Sequence, residues 1–192
     1  MITAMSQLED HQRKIQAQRF GLYLGLTTIV MLFTALTSAY IVRQGAGNWL
    51  FVKMPMQFWI STGIIILSSG TMYYAKAAHT AMEVSKFRIL FWSTFVLGTA
   101  FIISQYQGWL AIAKTGIYLD GNPGGSFIYV ISMVHVVHVM VGLVLLFIMA
   151  LRTTIKKFNP NYNYKIGFIA TYWHFIGIVW IYLFIFFQIK FF

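Results

Sequence analysis

The sequence predicts an all-α polytopic membrane protein: a bundle of five transmembrane helices with a cytoplasmic N-terminus and a periplasmic C-terminus. Only 9% of the 192 residues are charged and 59% are hydrophobic, whereas a soluble domain is about 25% charged. Five long stretches contain no charged residue at all. The basic residues fall in the gaps between these stretches. Lipid must therefore be part of the solvent of this chain.

The uncharged stretches define the predicted helices. Each has 22 to 26 residues, and roughly 20 apolar residues cross the ~30 Å hydrocarbon core as a helix. Barrel strands would be about half as long and would alternate polar with apolar residues. The predicted helices are residues 20–41, 54–75, 89–113, 126–151 and 166–189.

The domain organisation is simple. Residues 1–19 are polar and form a predicted cytoplasmic arm, as a short surface helix or a flexible segment, with no signal-peptide cleavage site. Residues 20–192 form a single five-helix domain. The segment LDGNPGG (119–125) predicts a tight turn before the fourth helix.

The orientation follows from the distribution of Lys and Arg, which accumulate on the cytoplasmic side of membrane proteins. Ten lie in the N-terminal segment or in the gaps after the second and fourth helices: Arg13, Lys14, Arg19, Lys76, Lys86, Arg88, Arg152, Lys156, Lys157 and Lys165. Four lie on the opposite side: Arg43, Lys53, Lys114 and Lys190. The predicted N-terminus is therefore cytoplasmic.

Composition also excludes several kinds of chemistry. There is no cysteine, which excludes disulfides, thiolate metal sites and iron–sulfur clusters. A net charge of +10 could suggest nucleic acid in a soluble protein. Here the basic residues follow membrane topology, so no nucleic-acid partner is predicted.

Small and polar residues recur at helical spacing in four of the five helices. In lipid, helices associate through close packing of small residues and through hydrogen bonds. Spacings of three, four and seven place such residues on one helix face. The predicted packing faces are Gly21, Gly25 and Thr28; Thr94, Gly98, Gln105 and Gly108; Ser132, His135, His138 and Gly142; and Gly167, Thr171, His174 and Gly177.

Three histidines inside the spans, His135, His138 and His174, are the candidate functional residues, because ionisable groups at membrane depth are expensive and often functional. A haem would pair His174 with His135 or His138. Three imidazoles could hold zinc or copper, although no carboxylate or thiolate supports them. A proton relay would need acids, and none of the four acids lies in a span. The remaining interpretation is structural, with neutral imidazoles bonding across helices for about 0.6 to 2 kcal/mol each.

Two stretches resemble motifs of subunit III of the haem-copper oxidases, a family that includes cytochrome c and quinol oxidases. MVHVVHVMVGL (133–143) is similar to its G-x-H-G-x-H-V-x-x-G pattern, and TYWHFIGIVWIYLF (171–184) to its Y-W-H-F-x-D-x-V-W pattern. RFGLYLGLTTIVMLF (19–33) looks like the opening of another family helix. Further matches are Gln105 and Trp109 in Q-x-x-E-W, and Asn122, Pro123 and Ser126 in N-P-x-G-S. The resemblance covers residues 19–190 and corresponds to the five-helix bacterial form.

The chain departs from the family pattern at three acidic positions. Ile29 stands where the family has the glutamate of an S-E step. Gly108 replaces the glutamate of Q-x-x-E-W, and Gly177 replaces the aspartate of the last motif. A proton-handling role that depends on these carboxylates is therefore not carried over.

The resemblance implies a non-catalytic accessory subunit of a proton-pumping terminal oxidase in the bacterial inner membrane. Such a subunit packs on subunit I, also meets subunit II or other respiratory subunits, and leaves the haems and copper to its partners. No catalytic, cofactor or metal residue is predicted in this chain. The predicted helix-packing residues are His135, His138, His174, Trp180, Gly142 and Gln105.

Other interpretations stay open at this point. One is a b-type membrane cytochrome that uses His174 with His135 or His138. Another is an accessory subunit of a nitric-oxide reductase, and a third is a transporter, although no inverted repeat is present. Phospholipid is a possible ligand: Arg19 and Arg88 are candidates for anionic headgroups, at roughly 1 kcal/mol each, or they are ordinary topology signals.

Overall fold

The structure, a computed structural model, describes the backbone of residues 2–155 and 163–189 and the side chains of residues 12–155 and 164–189. Lys156, Lys157, Lys190 and the side chains of Glu9 and Asp10, which entered the predictions above, lie outside this part. The described chain is all-helical, as predicted. Its five helices are α1 (Ile2–Gly45), α2 (Met56–Thr80), α3 (Val84–Ala113), α4 (Pro123–Ile155) and α5 (Asn163–Gln188).

Helices α2, α3, α4 and α5 form a four-helix ring. Helix α2 packs on α3 and α5, and α4 closes the ring by packing on the same two helices. Helix α1 lies outside the ring and packs on α4 and α5. The centre of the ring is therefore the place where side chains from four helices meet.

Helix α1 is longer than the predicted span. It has 44 residues, which is about 66 Å at 1.5 Å per residue. Residues 2–19 therefore form an N-terminal extension of the helix that contains the predicted span. Its buried stripe is Leu26, Phe33, Thr37 and Tyr40, at spacings of seven, four and three.

The predicted packing face of α1 is wrong within this chain. A Cβ added at Gly21 or Gly25 would meet no atom within 4 Å, and Thr28 is exposed and bonds only to the carbonyl of Gly25 in its own helix. The spacing of small residues indicates a common face but does not say whether a neighbour from the same chain covers it. On α5, Gly167 is likewise open.

Four helices of the described chain are long and apolar enough to cross a membrane: the segment Gln12–Gly45 of α1, then α3, α4 and the segment Tyr164–Gln188 of α5. Helix α2 falls short in apolar character, although its 25 residues would span about 37 Å. The reason is its composition, since seven residues between positions 61 and 71 are Ser, Thr or Gly. The five Ser and Thr side chains among them are buried or partly buried, whereas Gly63 and Gly70 are open. The low hydropathy of α2 therefore reflects in large part polar side chains that pack within the protein.

Asn122 joins the two connections at one end of the bundle. Its side-chain oxygen accepts hydrogen bonds from the backbone N–H of Leu50 (2.9 Å) and of Gly124 (3.0 Å). Its amide donates to the carbonyl of Asn48 (3.0 Å). Asn122 thus caps α4, with Pro123 at the first helical position, which is a favoured arrangement. Helix α4 consequently begins three residues earlier than predicted.

Candidate functional site

Trp180 of α5 fills the centre of the four-helix ring and is fully buried. Its ring lies 5.9 Å from Phe58 of α2, 5.3 Å from Phe101 of α3 and 5.2 Å from His135 of α4, between ring centroids. Its indole N–H donates to Thr62 Oγ1 of α2 at 3.0 Å. One side chain therefore contacts all three other helices of the ring.

Trp173 forms a second layer, two helical turns away on the same face of α5. It is 1% exposed and donates from Nε1 to Ser68 Oγ of α2 at 3.0 Å. Its ring occupies the space left by two glycines. An added Cβ would lie 2.6 Å from the ring at Gly98 of α3 and 3.1 Å from it at Gly142 of α4. Gly142 therefore leaves space for a large neighbour between α4 and α5.

The acceptors for both tryptophans lie on α2, which the sequence interpretation did not identify as a packing helix. Ser61 and Ser68 are seven residues apart, as are Thr62 and Ser69. This spacing equals that of Trp173 and Trp180, so one face of α2 matches one face of α5. This seven-residue spacing of Ser and Thr is present in the sequence. It contains no carboxylate, histidine or aromatic residue that would have indicated a packing face.

His174 bonds across helices. Its Nδ1 lies 3.2 Å from Ser69 Oγ of α2, and the side chain is partly buried. His174 therefore contacts a side chain of a neighbouring helix.

His138 bonds within its own helix, where Nδ1 lies 2.8 Å from the carbonyl oxygen of Val134. The cross-helix contact at this position uses the backbone, because Tyr172 of α5 donates its hydroxyl to the His138 carbonyl at 3.0 Å. The imidazole also packs 5.7 Å from Phe33 of α1, between ring centroids.

His135 makes no hydrogen bond. It is fully buried, and neither ring nitrogen has a partner among the described residues. Three rings surround it, with centroids at 5.9 Å for Phe33, 5.9 Å for Phe101 and 5.2 Å for Trp180. His135 therefore contacts its neighbours through the packing of aromatic rings, and not through the cross-helix hydrogen bond that the structural interpretation expected.

Gln105 lies on the same inner surface and is fully buried. Its amide nitrogen donates to Ser61 Oγ of α2 at 2.8 Å, whereas its side-chain oxygen has no partner among the described residues. Gln105 therefore ties α3 to α2 and leaves one acceptor unused.

The described side chains contain no group of three or more His, Cys, Asp or Glu residues able to hold a metal ion. The nitrogens of His135 face a shell of aromatic rings, and Nδ1 of His174 faces a hydroxyl.

The three positions where the resemblance places acidic residues differ in the space that the structure leaves for a longer side chain. A Cβ at Gly108 would lie 2.6 Å from the ring of Phe58, so this ring occupies the space of a longer side chain. A Cβ at Gly177 would lie 3.3 Å from Ser69 Oγ, a close contact that requires the hydroxyl to shift by a few tenths of an ångström. Ile29 packs at the edge of the core.

The two arginines singled out for headgroups differ in setting. Arg19 is exposed on α1. Arg88, near the start of α3, is partly buried, and its Nε donates to the carbonyl of Thr153 near the end of α4 at 3.0 Å.

Comparison with known proteins places this arrangement in a family. The family model for cytochrome c oxidase subunit III matches residues 2–190. Relatives include a probable cytochrome c oxidase subunit 3 from Nocardia farcinica, 28% identical over 172 residues, which cover 85% of this chain and 83% of the relative. Another from Corynebacterium diphtheriae is 28% identical over 173 residues (86% and 84%), and one from Thermostichus vulcanus is 27% identical over 172 residues (85% and 83%). The family model thus covers nearly the whole chain, including the motif residues that form the two tryptophan layers. The chain belongs to the cytochrome c oxidase subunit III family.

Proposed function

We propose that this chain, an accessory subunit of a haem-copper oxidase, acts by packing on subunit I and stabilising the assembled complex and its lipids. It would serve aerobic electron transport in a bacterial inner membrane, with oxygen reduced to water by its partner subunits. The proposed orientation places the N-terminus in the cytoplasm and the C-terminus in the periplasm. All five helices cross the bilayer in this proposal, including the polar helix α2.

One observation carries the proposal: the motif side chains are used to hold helices of this chain together. Trp173 and Trp180 bond to hydroxyls of α2, and His174 lies against Ser69. Gly142 admits Trp173 between α4 and α5. A bundle whose helices are joined by such contacts is well suited to support a neighbouring subunit.

The surface of α1 supports the same proposal. The apolar side chains of Phe20, Tyr23, Leu24 and Met31 are 55 to 71% exposed, and Gly21 and Gly25 on this helix are open. Small residues on an open helix face allow close approach of another helix in a membrane. Lipid or a partner subunit would cover this face.

The decisive experiment is purification of the tagged chain in mild detergent, followed by mass spectrometry and an absorption spectrum. Copurification of a large haem-copper oxidase subunit is the expected result. Recovery of a nitric-oxide reductase subunit instead would assign the chain to that complex. Recovery of the chain alone with a haem band of its own would support the b-type cytochrome that uses His174, and would overturn the proposal.

A further inference from the structure

Arg88 presents a guanidinium group whose position is set by the fold. Its Nε donates to the carbonyl of Thr153 at 3.0 Å, which connects the start of α3 to the end of α4. Of the described side chains, none forms an ion pair with it. The described carboxylate at this end of the bundle, Glu83, is paired with Lys86 at 2.8 Å. The Nη groups of Arg88 are therefore oriented and free of a protein anion.

An apolar groove begins beside this guanidinium. It has a volume of about 730 Å³ and is lined by Ile89, Trp92, Ser93, Val96 and Leu97 of α3, with Arg88 and Thr154 at its cytoplasmic end. From position 88 to position 97 the helix rises about 13 Å. The lining becomes more apolar away from Arg88, towards the middle of the predicted span.

Trp92 marks the boundary between the polar end and the apolar part of the groove. Its indole N–H lies 3.3 Å from Thr154 Oγ1, near the water-facing end of α4. Tryptophan is enriched at the level of lipid headgroups, where one part of the ring is apolar and the other can bond to polar groups. The Arg88 guanidinium is thus held at headgroup depth.

We propose that this groove binds one anionic phospholipid, with its phosphate on Arg88 and one acyl chain along α3 over Val96 and Leu97. Charge complementarity favours an anionic lipid, because Lys86 and Arg152 lie at the same end and Glu83 is already neutralised. Arg19 is exposed on α1 and is not among the residues that line this groove, so it does not share the assignment. The site rests on the proposed orientation and on the lipid-binding part of the proposed function, but not on the packing of this chain against subunit I.

The test uses the purified oxidase complex in liposomes that contain phosphatidylglycerol with a photoreactive group in its acyl chain. Phosphatidylcholine with the same photoreactive chain is the matched probe. After illumination, peptide mass spectrometry locates the adducts. We expect adducts between positions 89 and 97, about fivefold more with phosphatidylglycerol than with phosphatidylcholine, as follows from one basic contact.

Three variants sharpen the result. Arg88→Gln should lower labelling of this segment by about fivefold, and Lys114→Gln, an exposed residue at the opposite end of α3, should leave it nearly unchanged. Val96→Trp fills the groove without touching the Arg88–Thr153 hydrogen bond, so it should abolish labelling even if Arg88→Gln perturbs folding. Millimolar inorganic phosphate should not compete.

Equal labelling by the two probes, or unchanged labelling in both Arg88→Gln and Val96→Trp, would overturn the proposal. Competition by inorganic phosphate would show an anion site without a lipid. Labelling of the isolated chain but not of the complex would show that another subunit covers the groove, which also contradicts it.

Discussion

His174 is the histidine whose contact can be tested as a single hydrogen bond. Nδ1 faces Ser69 Oγ at 3.2 Å between α5 and α2, and such bonds in membranes contribute about 0.6 to 2 kcal/mol. We expect His174→Ala and Ser69→Ala each to lower thermal stability by this amount. The double variant should lose little more than either single variant, because both remove the same bond.

The spectrum of the oxidase provides the control for His174. If the residue only packs helices, His174→Ala should loosen this subunit from the purified complex and leave the haem bands unchanged. A shifted or missing band in the variant would contradict the structural role and support haem ligation.

His135 should respond in the opposite way. Its two ring nitrogens are buried among three aromatic rings without a partner, and an unsatisfied buried polar group costs about 1 to 3 kcal/mol. His135→Leu removes that cost at the expense of some ring contacts. We expect unfolding stability to be unchanged or raised by about 1 kcal/mol, measured by thermal denaturation of the purified chain. A loss above about 2 kcal/mol would mean that the imidazole is hydrogen-bonded in the membrane.

At the scale of helices, two glycines with similar spacing patterns should behave differently. A Cβ at Gly98 of α3 would lie 2.6 Å from Trp173 and 2.8 Å from Leu143, whereas one at Gly25 of α1 would meet nothing within 4 Å. Overpacking of this kind costs about 1 to 3 kcal/mol. Gly98→Ala should therefore destabilise the isolated chain, and Gly25→Ala should not.

The same pair of variants reports on the open face of α1. If a partner helix packs closely on Gly21 and Gly25, Gly25→Ala should weaken retention of the subunit in the complex while leaving the isolated chain intact. Retention equal to that of the unmodified chain would indicate that lipid covers this face.

At the scale of the whole molecule, the distribution of basic residues predicts which ends of the helices face the cytoplasm. The chain has no cysteine, so single cysteines can be introduced without background. We expect a membrane-impermeant maleimide to label Asp120→Cys in intact spheroplasts and to label Lys86→Cys only after lysis. Both positions are exposed. The reverse pattern would invert the proposed orientation.

The absence of acids from the spans makes a second prediction for the whole chain. Hydrophobic carbodiimides modify protonated carboxyl groups in lipid, and burial favours the protonated form. The four acids, Glu9, Asp10, Glu83 and Asp120, all lie outside the predicted spans. Peptide mapping should therefore find no adduct within the predicted membrane spans of this chain, and inhibition of the enzyme should map to another subunit.

A variant supplies the positive control for this reagent. Gly177→Asp introduces a carboxyl group beside Ser69, where an added Cβ would lie 3.3 Å from Oγ, and it should become reactive. Gly108→Glu is unsuitable because Phe58 occupies the space. An adduct on Glu83 or Asp120 that a lipid-soluble competitor prevents would show that one of these acids lies at membrane depth.

Much of the architecture follows from local pattern. Uncharged stretches predicted five helices, because every backbone group in lipid must bond within its own segment, and the residues that the structure describes form five. The inner faces of α3 and α4 were also predicted from spacing: Gln105, Gly108 and Gly142 are buried. Trp180 was predicted as a packing residue from a motif, and the structure places it at the centre of the ring.

The sequence by itself determined the helices, their number and the residues that share each face, because these depend on composition and on a period of 3.6 residues. Tertiary structure alone decided which faces are covered and by what. It turned the polar stripe of α2 into the acceptor for two tryptophans, left Gly21 and Gly25 open and surrounded His135 with rings. Each outcome depends on side chains from other helices, tens of residues away along the chain. The local periodicity of one helix does not specify which of these side chains will contact it.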